Sequence, residues 1–222
     1  MNRTCKRKLA TAPEERESKT PLLEKLVDYY PSEIEESGAV FEQLRDNLTW
    51  PEKRKFMGHT VHRRELFLHA PGTKEQLVYR FGGKNHKSGA IPESLSKLFE
   101  QLFARSRELT GNPNLNSVLL NYYDDKEQGS IAWHADDEEC IARTEDNKVT
   151  SIVGWSFGGP AHISFRPAAK PTDGSKRKPQ SIKVECGSAY VMRAGTQEKF
   201  EHSVRKGHLE GSRISATVRE QF

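Results

Sequence analysis

The chain has no apolar run near the ~20 residues that cross a bilayer, and nothing close to its first residue resembles the apolar core of a secretion signal. Cysteine is scarce. The three present, Cys5, Cys140 and Cys186, are far apart and odd in number, which argues against a disulfide framework or a paired zinc site. A reduced intracellular compartment is the expectation, with nucleus and cytoplasm both open. Charge of one sign is also lacking, since 35 Lys and Arg against 31 Asp and Glu leave a net +4. That balance, with a pI near 8.9, favours a polyanionic partner without requiring one. Hydrophobic residues are only 34% of the 222, yet that length supports one sizeable core. No internal repeat is evident.

What is there centres on Val118-Leu119-Leu120-Asn121-Tyr122-Tyr123, a polar turn, and then Ile131-Ala132-Trp133-His134-Ala135-Asp136-Asp137-Glu138. On a strand, side chains two apart share a face, so His134 and Asp136 are expected to converge. A third metal ligand would have to come from further along the chain. His202 is the best placed, just past the strand-like Ser188–Met192, with His162 and His208 as the other choices. Two imidazoles and one carboxylate leave open coordination positions, as in non-haem iron(II) oxygenases. An isolated H-x-D is more often a solvated surface pair.

The end of the chain changes that balance. Arg213-Ile214-Ser215-Ala216-Thr217-Val218-Arg219 alternates as a strand, with Arg213, Ser215, Thr217 and Arg219 on one face and Ile214, Ala216 and Val218 on the other. Two planar guanidinium groups on one face suit a dicarboxylate held by paired hydrogen bonds.

These pieces together resemble the AlkB family of iron(II)- and 2-oxoglutarate-dependent dioxygenases, in the branch whose motif reads H-x-D-D-E. The resemblance runs from about Val40 to Arg219. It is carried by Asn121-x-Tyr123, Trp133-His134-x-Asp136-Asp137-Glu138, Ser156-Phe157-Gly158-Gly159-Pro160-Ala161, Gly187-Ser188-Ala189-Tyr190-Val191-Met192, His202, Arg213 and Arg219. It implies Fe(II) on His134, Asp136 and His202, and 2-oxoglutarate on Asn121, Tyr123, Arg213, Ser215 and Arg219, with O2 as the oxidant. Ser215 is a departure, because the family commonly has Asn there; a hydroxyl still donates a hydrogen bond.

The implied fold is α+β: a double-stranded β-helix (jelly roll) with N-terminal covering helices and a nucleotide-recognition lid. Residues 1–20, charged and poor in large apolar side chains, read as a disordered basic tail. Residues 21–222 read as a single domain. A helix is expected from Pro21 to Tyr30, ended by Pro31, and a second from about Glu36 to Leu48. Residues 51–90 are basic and irregular and are assigned to the lid. Within them Tyr79-Arg80-Phe81-Gly82-Gly83 resembles the family's Y-x-Y-S-G segment, which places Tyr79 and Phe81 as substrate contacts. Phe81 reads equally as a ring stacking on a base or as a core strand residue. Pro92 to Leu109 is the clearest helix, lined by Leu95, Leu98, Leu102 and Phe103. Val149–Phe157 and Ala161–Phe165 are expected to form a hairpin across Gly158-Gly159-Pro160. Lys6-Arg7-Lys8 and the loop with Lys176-Arg177-Lys178 read as solvated basic segments, as phosphate contacts or as import signals.

By resemblance, the activity is oxidative dealkylation of N1-methyladenine- or N3-methylcytosine-type lesions, with DNA repair favoured and RNA open. Asp137 takes the position that contacts the extruded base, and Glu138 has a supporting role. Nucleic acid is the expected partner, no membrane is, and the chain is expected to be a monomer. Two other classes stay in view. A zinc hydrolase shares the three ligands but has no use for the arginine pair. A silent nucleic-acid binder has no need of a complete ligand set.

Overall fold

The computed structural model describes residues 23–73, 75–81, 83–127 and 129–222, with the backbone alone at 81, 208 and 209. The tail expected over residues 1–20, with Cys5 and Lys6-Arg7-Lys8, lies outside the described residues, as does the His208 side chain.

In chain order the elements are β1 (Val27–Tyr30), α1 (Ser37–Asn47), β2 (Lys55–Phe56), β3 (His59–Thr60), β4 (Arg64–His69), β5 (Val78–Phe81), β6 (Lys84–Lys87) and α2 (Ser96–Thr110). Then come β7 (Ser117–Tyr123), β8 (Ile131–His134), β9 (Ile152–Gly158), β10 (Ala161–Pro167), β11 (Gln180–Val184), β12 (Ser188–Met192), α3 (Thr196–Lys199), β13 (Phe200–Leu209) and β14 (Arg213–Arg219). Six strands form a major sheet in the order β1-β12-β9-β14-β7-β4, and four form a minor sheet in the order β11-β10-β13-β8. Every ladder in both is antiparallel. This is the double-stranded β-helix that the family resemblance implies.

The helices cover the outer face of the major sheet. Leu98, Phe99, Leu102 and Phe103 of α2 and Val40 and Leu44 of α1 share one buried cluster with Val118, Leu120, Trp155, Ile214, Ala216 and Val218. Residues three and four apart fall on one face of a helix, which is why these alternations of strand and helix meet. Gly111 closes α2 in a left-handed conformation at φ 68°. Inside this layer Trp155 Nε1 donates to Ser106 Oγ at 3.0 Å, and Ser106 Oγ donates to the Leu102 carbonyl at 2.7 Å. The buried indole N–H is thereby satisfied. The inner face of the major sheet meets the minor sheet through a second cluster that includes Phe67, Leu119, Ile163, Phe165 and Met192.

Three expectations need correction. The segment before Pro31 is not a helix: a short 3-10 turn at Leu23–Lys25 leads into β1, which pairs with β12 from Val27↔Met192 to Tyr30↔Ala189. The apolar spacing misled because β-branched Val27 and two tyrosines suit an edge strand, and β12 offers an open edge to pair with. Nor do β9 and β10 form a hairpin. The Gly158-Gly159-Pro160 link carries the chain from the major sheet into the minor one, since β9 pairs with β12 and β14 while β10 pairs with β11 and β13. A Cβ on Gly158, at φ +86°, would sit 2.4 Å from the Ser212 carbonyl oxygen, so only glycine turns this corner. Residues 51–90 are not irregular throughout. β4 lies within them and pairs with β7 along six residues of the major sheet, flanked by the hairpins β2–β3 and β5–β6.

Candidate functional site

Between the two sheets lies a cavity of about 370 Å³. Its floor is the inner face of the major sheet. Leu119, Asn121 and Tyr123 of β7 and Arg213, Ser215, Thr217 and Arg219 of β14 point into it, as alternation along each strand requires. The register sets them side by side: Arg213 lies opposite Tyr123, and Ser215 opposite Asn121.

His134, Asp136 and His202 meet at the minor-sheet side, each offering a ligand atom within 4.8 Å of the others. His134 ends β8 and lies opposite His202 of β13. Their rings stand 4.2 Å apart between centroids. Asp136 is past the end of β8, so strand alternation alone does not bring it in. Its backbone N–H donates to Gln197 Oε1 at 2.9 Å, and Gln197 Nε2 in turn donates to Met192 Sδ at 3.4 Å. Gln197, on α3, is a residue that sequence reasoning missed; its place within five residues of His202 was the available signal. Of the other candidates for the third position, His162 lies on β10 one residue before Ile163, which faces the cavity, so His162 faces away.

The electrostatics fit a cation held by this set. Burial works to raise the pKa of the Asp136 carboxyl, but Arg219, His202 and His134 outweigh it and hold the group well below the usual carboxylate range. Burial, with His134 adding to it, pushes His202 down to about 3, so its imidazole is neutral and free to ligate. His134 Nδ1 is 2.8 Å from the Ala132 carbonyl, an arrangement that assigns the proton to Nδ1 and leaves Nε2 toward Asp136.

Arg219 Nη2 pairs with Asp136 Oδ2 at 2.9 Å, so this arginine touches the acidic ligand as well as facing the cavity. Its Nε and Nη1 are buried without a hydrogen-bond partner among the described residues. Arg213 Nε donates to Ser156 Oγ at 3.0 Å, while both terminal nitrogens are buried and unpartnered at bonding distance. Burial lowers the Arg213 pKa, with Tyr123 and Tyr190 working against it. Orphaned buried donors of this kind are costly unless an acceptor arrives. A dicarboxylate supplies such acceptors.

Other assigned residues lie further from the centre. Tyr79 is 2% exposed; its hydroxyl donates to Glu138 Oε1 at 2.9 Å and its ring lies under Arg219. Glu138 and Tyr79 both line the cavity. Asp137 is exposed and outside the lining, and its carbonyl accepts from Arg143 Nη2 at 3.2 Å. Phe81 pairs with Lys84 in the β5–β6 hairpin, and its ring lies outside the described residues. Sequence reasoning also missed Tyr190 as a wall of the cavity. Its ring lies over Gly154, where a Cβ would approach to 2.2 Å, so the glycine makes room for the tyrosine. Burial pushes the Tyr190 hydroxyl up to about 12, which keeps it a donor.

A family model for the 2OG-Fe(II) oxygenase superfamily matches residues 23–219. The chain belongs to this superfamily. Fe(II), 2-oxoglutarate and O2 are accordingly its metal and cosubstrates, and it is AlkB-like within the family. It is 30% identical over 84% of its length to the DNA oxidative demethylase ALKBH2 of Arabidopsis thaliana, and 25% identical over 86% to the alpha-ketoglutarate-dependent dioxygenase alkB homolog 3 of Bos taurus. It spans 62% and 63% of the length of those relatives. The solved structure of OsALKBH1 shares the fold, with a TM-score of 0.55 at 14% identity over 87% of this chain and 97% of that one. Among the described residues no helix is long and apolar enough to cross a membrane.

Proposed function

We propose that this protein removes alkyl groups oxidatively from ring nitrogens of nucleic-acid bases of the N1-methyladenine and N3-methylcytosine type, with DNA the favoured substrate. The observation that carries the reading is one cavity holding both the His134–Asp136–His202 set and the unpartnered donors of Arg213 and Arg219. The relative named as a DNA oxidative demethylase supports the choice of DNA.

His134, Asp136 and His202 would hold the iron, and Arg213, Arg219, Asn121, Tyr123 and Ser215 the 2-oxoglutarate. When bound, the iron supplies oxygen activation coupled to decarboxylation of the oxo acid to succinate and CO2. The residues orient both carboxylates by charge-assisted hydrogen bonds, and the apolar walls Leu119, Ile131 and Ile163 exclude water from the reacting centre. A hydroxylated N-methyl carbon is a hemiaminal: its C–N bond breaks, formaldehyde leaves, and the base nitrogen is restored. A methyl on a paired base reaches this depth only if the base is extruded. Asp137, exposed beside the metal-ligand Asp136, would meet a cationic methylated base, with Tyr79 and Phe81 as further substrate contacts in this reading. Lys176 and Lys178, exposed on the β10–β11 loop, suit phosphate contact or nuclear import. The chain acts as a monomer in this reading.

The test uses anaerobically iron-loaded protein with 2-oxoglutarate, then oxygen and matched single- and double-stranded oligonucleotides carrying one lesion. Mass spectrometry follows methyl loss, with His134→Ala as control. Repair of DNA that the control abolishes is expected. Succinate release without DNA repair moves the substrate to RNA or protein. Neither product, with iron verified in the site, overturns the enzymatic reading.

A further inference from the structure

We propose that Arg63 is a positioning residue for the cosubstrate: it fixes the side-chain amide of Asn121 so that the NH2 group, and not the oxygen, faces the cavity. The inference rests on the proposed role of Asn121 in holding 2-oxoglutarate.

Asn121 is 4% exposed and lies on the inner face of the major sheet, between Glu65 of β4 and Ser215 of β14. Two residues before Glu65 and on the same face, Arg63 reaches across. Its Nε donates to Asn121 Oδ1 at 3.0 Å, its Nη1 to the Ser130 carbonyl at 2.9 Å, and its Nη2 to Glu65 Oε1 at 2.5 Å. Glu65 is held from its other side by Arg54. Guanidinium is a donor only, so it tolerates only the amide oxygen against it; the flipped amide would set two donors face to face. The amide orientation is therefore decided by Arg63. Among the described residues Asn121 Nδ2 donates to no protein acceptor, which leaves it for a ligand oxygen. Arg63 is itself spanned by three partners in different directions, which locks its plane, and a Lys ammonium cannot satisfy them with one fork.

The acceptor that Nδ2 meets lies in the cavity that also holds the free ends of Arg213 and Arg219. Arg63 thus acts on binding through Asn121. Removing Arg63 is expected to free the amide to rotate and to weaken 2-oxoglutarate binding about tenfold, the scale of one charge-supported hydrogen bond.

The experiment measures the Kd for 2-oxoglutarate by titration calorimetry, without oxygen, on iron-loaded wild type, Arg63→Ala, Asn121→Ala and the double variant, with Tm recorded for each. The expected result is about a tenfold rise in Kd for each single variant and no further rise in the double, since both remove the same contact. Arg63→Lys, which keeps the charge and limits any loss of folding, is expected to fall between wild type and Arg63→Ala. Unchanged Kd in Arg63→Ala with a lowered Tm makes the residue merely structural and overturns the proposal. So does a double variant whose losses multiply. Wild type that holds iron but binds no 2-oxoglutarate fails earlier and overturns the cosubstrate assignment itself; wild-type binding with additive losses overturns only the role of Arg63.

Discussion

The two faces of β14 are both buried, and they do opposite things. Ile214, Ala216 and Val218 pack against the helices in an apolar layer, while Arg213, Ser215, Thr217 and Arg219, buried as deeply, form the floor of a polar cavity. Depth alone therefore does not separate core from site. What separates them is whether the polar atoms have partners. In the outer layer the Trp155 indole N–H is satisfied by Ser106 and that of Trp50 by the Arg45 carbonyl; on the inner face several guanidinium nitrogens wait for acceptors. A protein keeps such groups unpaired when a ligand completes them, at a cost in stability of the empty fold.

The contrast breaks most sharply at Arg219. Its pair with Asp136 is buried on both sides, at 4% exposure of each side chain, so Arg219→Met strands a carboxylate. Loss of about 3–5 kcal/mol in the metal-free protein is expected, a drop of roughly 6–20 °C in Tm, read by calorimetry. Ile214→Ala, on the opposite face, is expected to cost about 2–5 kcal/mol through a cavity in the helix-covered layer. Unlike Arg219→Met it should leave iron and 2-oxoglutarate affinity of the folded protein near wild type; a large loss of affinity would show that the two faces are not independent.

Arg213→Met sharpens the same comparison in the other direction. Its charge is buried, lowered in pKa by that burial, and lacks a carboxylate partner among the described residues, so an apolar replacement is expected to change the stability of the empty protein by less than about 1 kcal/mol or to raise it. Added 2-oxoglutarate should raise the Tm of wild type and leave that of Arg213→Met unmoved; a matching rise in both would remove Arg213 from the binding site. The smallest effect belongs to the exposed Lys176 and Lys178. Alanine at either is expected to shift stability by under ~0.5 kcal/mol, and any fall in oligonucleotide affinity should vanish as salt is raised.

Much of this arrangement was legible one strand at a time. Alternation along residues 213–219 put the arginines on one face, and the structure keeps them there. The α2 helix was legible because Leu95, Leu98, Leu102 and Phe103 repeat at helical spacing and Gly111 can close it. Illegible were the places where a neighbour overrides local preference. Val27–Tyr30 became a strand because β12 had an edge free, and the chain at Gly158 changed sheets where a hairpin was the simpler expectation. Arg63, Glu65 and Gln197 carry no motif; they matter because of what lies across from them.

The chain by itself determined the chemistry available: two imidazoles, a carboxylate and two arginines in a fixed order, on segments whose period decides which way each side chain points. Only the tertiary structure decided that His134 and His202 face each other across one ladder, that Asp136 is drawn in by Gln197, and that Asp137 stays outside while its neighbours line the cavity. The physical reason is range. Side-chain direction follows from backbone geometry within a few residues, whereas a site made from β7, β8, β13 and β14 depends on strand pairing between segments up to about a hundred residues apart. Pairing of that kind is fixed by the burial of both sheets together and by no local stretch alone.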